Sequence, residues 1–195
     1  MNAKEISKIL FGSIYCFIHL LILLVHKHKS LILKDVDYWL EIRRHKMKPI
    51  AGFIYLMVTY QEFRNVFYFR IGNLKYLVKW YCPQRRNFTV AAGSIGEKFY
   101  VHLGYGTVIG AKSIGNNCMI YQGVTVGSLH GSPTILDNVK VFSGAIVMGD
   151  ITIGNNVRIG ANATVYKDVP DNTTVFPPES KSMKLPIPKQ NSSEI

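Results

Sequence analysis

The sequence predicts a mainly β solenoid preceded by an α-helical N-terminal region. Three observations carry this. Branched aliphatic residues recur every six positions through the second half. Apolar residues fall at helical spacing in the first half. The charge is confined to that first half: residues 1–94 hold 15 basic and 5 acidic side chains, net +10, whereas residues 95–195 hold 8 and 7, net +1. The 195-residue chain carries +11 overall yet is 48% hydrophobic and 12% aromatic. Such a composition excludes a chain disordered along most of its length. Three cysteines in a chain of this size exclude a small disulfide-stapled scaffold.

The elements follow in order. Ile9–Val25 is 17 residues without a charge, flanked by Lys4 and Lys8 before and Lys27 and Lys29 after. No small-residue cleavage site follows it, so a signal peptide is disfavoured. Its length is the lower limit for a membrane span, and Gly12, Ser13 and His19 interrupt it. Association with a membrane surface is the expectation, and a helix buried against other subunits is the alternative. Residues 32–46 read as a helix on the spacing of Val36, Trp39, Leu40 and Arg43. Pro49 interrupts the chain. A second helix-like run, Glu62-Phe63-Arg64-Asn65 through Ile71, sets Arg64 and Arg70 around aromatic residues. Either a membrane-facing surface or an interhelical packing face fits that pattern. Pro83 and Arg85-Arg86 mark a linker. The expected regions are 1–86, helical and basic; 87–176, the repeat domain; and 177–195, an extended or disordered tail rich in proline.

The repeat runs Val108, Ile114, Ile120, Val126, then Ile135, Val141, Val147, Ile153, Ile159 and Val165, with Ile95 and Val101 as an earlier pair. A period of six suits neither a helix nor one long strand. It suits a coil of short strands that turns a corner every six residues and points its aliphatic side chain inward. Gly and Asn recur just after the aliphatic positions, where corners need backbone conformations that branched residues resist. Between Val126 and Ile135 the spacing is nine, so part of Gly127–Thr134 must loop out of the coil. Loops on rigid scaffolds commonly carry function.

Three segments carry a resemblance: Tyr121-Gln122-Gly123-Val124-Thr125-Val126-Gly127, Ile159-Gly160-Ala161-Asn162-Ala163 and Val165-Tyr166-Lys167-Asp168-Val169-Pro170. They resemble the hexapeptide-repeat acyltransferases, and within these the serine acetyltransferase-like branch of bacterial polysaccharide gene clusters. The resemblance implies a left-handed parallel β-helix, a homotrimer and acetyl-CoA as donor, with no metal. It implies His102, in Tyr100-Val101-His102-Leu103-Gly104, as general base. The neutral imidazole suits proton removal near pH 7. Relative to the family, the chain is one residue longer between His102 and Ile109-Gly110 and one shorter between Gly110 and Ile114. His102 therefore needs a local bulge to hold its register, because a one-residue slip turns a strand side chain to the opposite face.

Serine acetyltransferases carry an aspartate before this histidine and a second histidine in the loop. Here those positions read Val101 and Ser132, with His130 two residues upstream as the substitute. The missing acid favours a sugar or glycan acceptor, with serine O-acetylation in cysteine biosynthesis as the alternative. A non-catalytic trimeric scaffold is a third reading. Ser143, Gly144, Ala145, Gly160 and Ala161 are the expected small residues beside the pantetheine arm, and Lys167 the expected phosphate contact. Their competing roles are corner-turning for the small residues and plain solvation for the lysine. No nucleic-acid-binding motif accompanies the basic half, so nucleic acid is not an expected partner. The expected location is cytoplasmic, at the inner face of the membrane where anionic lipids attract basic segments.

Overall fold

A computed structural model describes residues 3–179. The expected tail therefore lies mostly outside the described residues. Five helices come first: α1 (Ala3–Tyr15), α2 (Phe17–Val25), α3 (Lys29–Ile42), α4 (Pro49–Thr59) and α5 (Gln61–Ile71). A 3₁₀ segment, Gly72–Leu77, follows. Pro49 opens α4 rather than merely ending α3, since its missing N–H costs nothing in a first turn.

Thirteen short strands then wind into a parallel solenoid of three sheets. The first sheet holds β1 (Phe88–Val90), β3 (Thr107–Ile109), β6 (Thr125–Gly127), β9 (Ile146–Met148) and β12 (Thr164–Val165). The second holds β4 (Ser113–Ile114), β7 (Thr134–Ile135) and β10 (Thr152–Ile153). The third holds β2 (Tyr100–Val101), β5 (Met119–Ile120), β8 (Lys140–Val141), β11 (Arg158–Ile159) and β13 (Thr174–Val175).

The six-residue period is the inward column of this prism. Val101, Ile120, Val141, Ile159 and Val175 stack along the third sheet. Ile95, Ile114, Ile135, Ile153 and Val169 stack along the second. On the first sheet one expected position is corrected. Val108 is 42% exposed, and Ile109, fully buried, pairs with Val126 instead. The corner between Ile109 and Ile114 is one residue short, and a slip of one exchanges the faces of a strand.

Corners explain the recurrent Asn. Asn117, Asn138, Asn156 and Asn172 all hold positive φ, between 55° and 61°, a region Asn enters more readily than most residues. Their neighbours form a ladder along this edge: Asp137 Oδ1 accepts from the Asn116 N–H at 2.6 Å, and Asp171 Oδ1 from the Asn155 N–H at 2.6 Å. Gly115 is required there for another reason. A Cβ on it would stand 2.2 Å from Asp137 Oδ1 and 2.7 Å from the Leu136 carbonyl carbon in the next coil. Gly115→Ala should therefore destabilise the protein by about 1–3 kcal/mol, the range for overpacking, read as a lowered chemical-denaturation midpoint.

The helical region covers the open first coil, as terminal caps do in solenoids. Trp39 is buried against Tyr100 and Phe63, and its Nε1–H donates to the Phe99 carbonyl at 2.8 Å. Arg70 pairs with Asp35 at 2.9 Å and donates to the carbonyls of Ile95 and Gly96. Asp35 in turn accepts the Phe99 N–H at 2.9 Å. Arg64 donates to the carbonyls of Met57, Val58 and Pro83. Both arginines are buried, so the Glu62–Ile71 run is a packing face and not a membrane-facing one.

Candidate active site

His102 directly follows β2, at the corner between the third and first sheets. Three more residues occupy its column in successive coils: Tyr121, Phe142 and Gly160, each following the inward aliphatic residue of its strand. The His102 ring lies 5.0 Å from the Tyr121 ring, and Tyr121 lies 5.1 Å from Phe142. The bulge that His102 needs is present. Before it, Val101 pairs with Ile120, 19 positions on; after it, Val108 pairs with Thr125, 17 positions on. The two surplus residues are Leu103 and Gly104, both at positive φ, 63° and 66°.

The structure adds a partner that sequence reasoning left without a role. His102 Nδ1 lies 3.2 Å from Gln122 Oε1. An amide oxygen only accepts, so the tautomer that makes this hydrogen bond carries its proton on Nδ1 and keeps the lone pair on Nε2. That is the tautomer a general base needs. Two phenols flank this part of the coil. Tyr100 packs 6.4 Å from the His102 ring, and Tyr38 packs on Tyr100. Burial pushes both phenols up from their ordinary range, so they stay protonated near neutral pH.

The remaining expected residues divide between two edges. Ser143, Gly144, Gly160 and Ala161 share the His102 edge. His130 and Lys167 lie on the next edge, where the chain leaves the first sheet. His130 is exposed in the loop after β6 with φ 56°, and Lys167 is exposed with its Nζ 5.8 Å from the Tyr166 ring centroid. Within one protomer the two histidines are therefore on different corners of the prism.

Ala145 belongs to neither edge. It is fully buried, its N–H donates to the Phe142 carbonyl and its carbonyl accepts from the Thr125 N–H, so its side chain belongs to the core. Gly144 and Gly160 are accounted for by the coil. Gly144 holds φ 72°, and a Cβ on Gly160 would stand 2.9 Å from the Val175 carbonyl oxygen. Ser143 and Ala161 are the small side chains left accessible. Among the described residues, no three His, Cys, Asp or Glu side chains are grouped to hold a metal. A cleft of about 590 Å³ between α2, α5 and the first coil contains none of the expected site residues.

Comparison with known proteins finds relatives of this fold. Residues 132–167 match the bacterial transferase hexapeptide (six repeats) family. A serine acetyltransferase from Bacillus pumilus is 37% identical over 140 residues, covering 64% of each chain. The chain is similar to serine acetyltransferases. It spans 64% of the length of that curated relative. Among solved structures it resembles the Neisseria gonorrhoeae serine acetyltransferase in complex with serine, with 26% identity and a TM-score of 0.62, covering 79% of this chain and 68% of that one. A serine acetyltransferase in complex with CoA aligns at 26% identity and a TM-score of 0.58, covering 74% of this chain and 65% of that one.

These relatives do not support the expected polysaccharide branch. The argument for a sugar rested on Val101 standing where an acid was expected. Val101 is 0% exposed and paired with Ile120 inside the prism. The position that carries an aspartate in the serine acetyltransferases is therefore part of the apolar core in this chain.

Proposed function

We propose that the protein is an acetyl-CoA-dependent O-acetyltransferase whose acceptor is L-serine. The observation that carries this is the His102–Gln122 pair on an exposed edge of a solenoid homologous to serine acetyltransferases. The relatives' names support serine over a sugar.

The chemistry follows from the tautomer. His102 Nε2 takes the proton of the serine hydroxyl as its oxygen attacks the thioester carbonyl. The tetrahedral intermediate collapses with loss of the CoA thiolate, which recovers the proton from the imidazolium. The products are O-acetylserine and free CoA. Gln122 is the positioning residue, holding the Nδ1 proton throughout. In this reading the pantetheine arm lies beside Ser143 and Ala161, and Lys167 of a neighbouring copy meets a phosphate.

His130 and Lys167 lie on the other edge, so a site that uses both edges needs a second copy. A homotrimer supplies it, with the His102 edge of one copy facing the His130 edge of the next. Mass spectrometry of products from acetyl-CoA offered with serine and hexoses together tests the acceptor. Acetylated serine is expected; acetylated hexose with unmodified serine would restore the sugar reading.

A further inference from the structure

The charge-free stretch at the N-terminus is not one helix. α1 and α2 meet at Cys16 with a bend of 77°, and no single helix among the described residues is long and apolar enough to cross a membrane. Each helix buries one face. Gly12 of α1 packs under Ile54 and Val58 of α4, and His19, Ile22 and Leu23 of α2 are buried. The opposite faces are apolar as well, and they are exposed. Ile14 is 83% exposed and Val25 84%, with Phe11 at 63% and Phe17 at 56%. Exposed apolar surface of this extent marks an interaction site.

The patch continues beyond the two helices. Phe11 stacks on Tyr15, Tyr15 meets Tyr81 edge-on, and Tyr81 meets Trp80. Trp80 is itself 77% exposed and adjoins the exposed Leu77. Basic side chains border it. Lys79 and Lys75 lie over the Tyr76 ring at 4.1 and 5.4 Å, and Lys27 stands two residues after Val25. Only one acidic side chain, Glu5, occurs in α1, α2 and residues 72–80, and it pairs with His45 at 2.8 Å.

We propose that this face docks on an anionic lipid surface, lying in the interface rather than spanning it. Apolar and aromatic side chains enter the headgroup boundary while lysines meet lipid phosphates. Charge argues against a second copy as the occupant. A two-fold contact sets the same patch against itself, bringing lysines against lysines with Glu5, held by His45, as the single carboxylate of these segments. The proposal does not depend on the acetyl-transfer reading.

The full chain carries its own probe. Of its two tryptophans, Trp39 is buried and Trp80 exposed, so a change in emission on adding vesicles reports Trp80. Vesicles of phosphatidylcholine with phosphatidylglycerol should shift the emission to the blue and sediment the protein. Pure phosphatidylcholine should do so far less, and added salt should weaken the binding. Lys75→Gln and Lys79→Gln should each weaken it about fivefold, the effect of losing about 1 kcal/mol per charge. Ile14→Ser with Phe17→Ser should abolish it. No sedimentation with the anionic vesicles overturns the proposal. So does an Ile14→Ser/Phe17→Ser variant that still binds vesicles but loses self-association, which would assign the face to another copy.

Discussion

His102→Ala should lower kcat for acetyl transfer by about 10²–10⁴-fold, the usual contribution of a positioned general base. Its effect on stability should stay within about 0.5 kcal/mol, as for other partly exposed residues away from buried networks. The side chain is half-buried and its stacking partner Tyr121 also rests on Phe142, so the coil survives its loss. Gln122 gives the companion test. Gln122→Met should reduce kcat by about 10–100-fold, the range for partners that orient a functional histidine. Gln122→Glu keeps an oxygen that accepts from Nδ1 and should retain more activity than the methionine. A packing role for Gln122 would predict the reverse order, because methionine preserves volume better than a charge does.

Asp35→Ala should be the most destabilising single change in the helical region, at about 3–5 kcal/mol. Asp35 and Arg70 are both nearly inaccessible, with side chains 1% and 4% exposed. Removing the carboxylate leaves the guanidinium buried without its counter-charge and the Phe99 N–H without its acceptor. At about 2–4 °C per kcal/mol for a chain of this size, the midpoint of thermal unfolding should fall by roughly 6–20 °C. The double variant Asp35→Leu/Arg70→Met should recover much of that loss, since apolar replacement of a buried pair is often neutral. If Asp35→Ala melts with the wild type, the pair does not hold the helices to the first coil.

The solenoid was legible because an inward column repeats at a fixed interval, and only a coil of short strands satisfies it. Corner Asn residues were legible for the same reason, through their positive φ and their ladder to the next coil. Departures from the period were not. Val108 matches the six-residue frame, yet two extra residues before it and a short corner after it hand the core to Ile109. Gln122 lies 20 positions from His102, a partner invisible until the bulge at Leu103 and Gly104 is known. Ala145 and Val101 look like site positions in a linear reading, but side chains that alternate by one residue face the core there. In the sequence of the first half, Arg64 and Arg70 fit a membrane-facing surface and a packing face equally, and Asp35 has no assigned role. Their burial depends on the first coil arriving beside them, which is a long-range fact. The +10 of that half therefore overstates its exposed charge, and what remains outside is carried by residues such as Lys27, Lys75 and Lys79.

The most direct measurement is the initial rate of free thiol release when purified full-length protein is given acetyl-CoA and L-serine. Rapid release that depends on serine, saturates with it and disappears in His102→Ala is the predicted result. Release that ignores serine, or that persists at the wild-type rate in His102→Ala, would contradict the account.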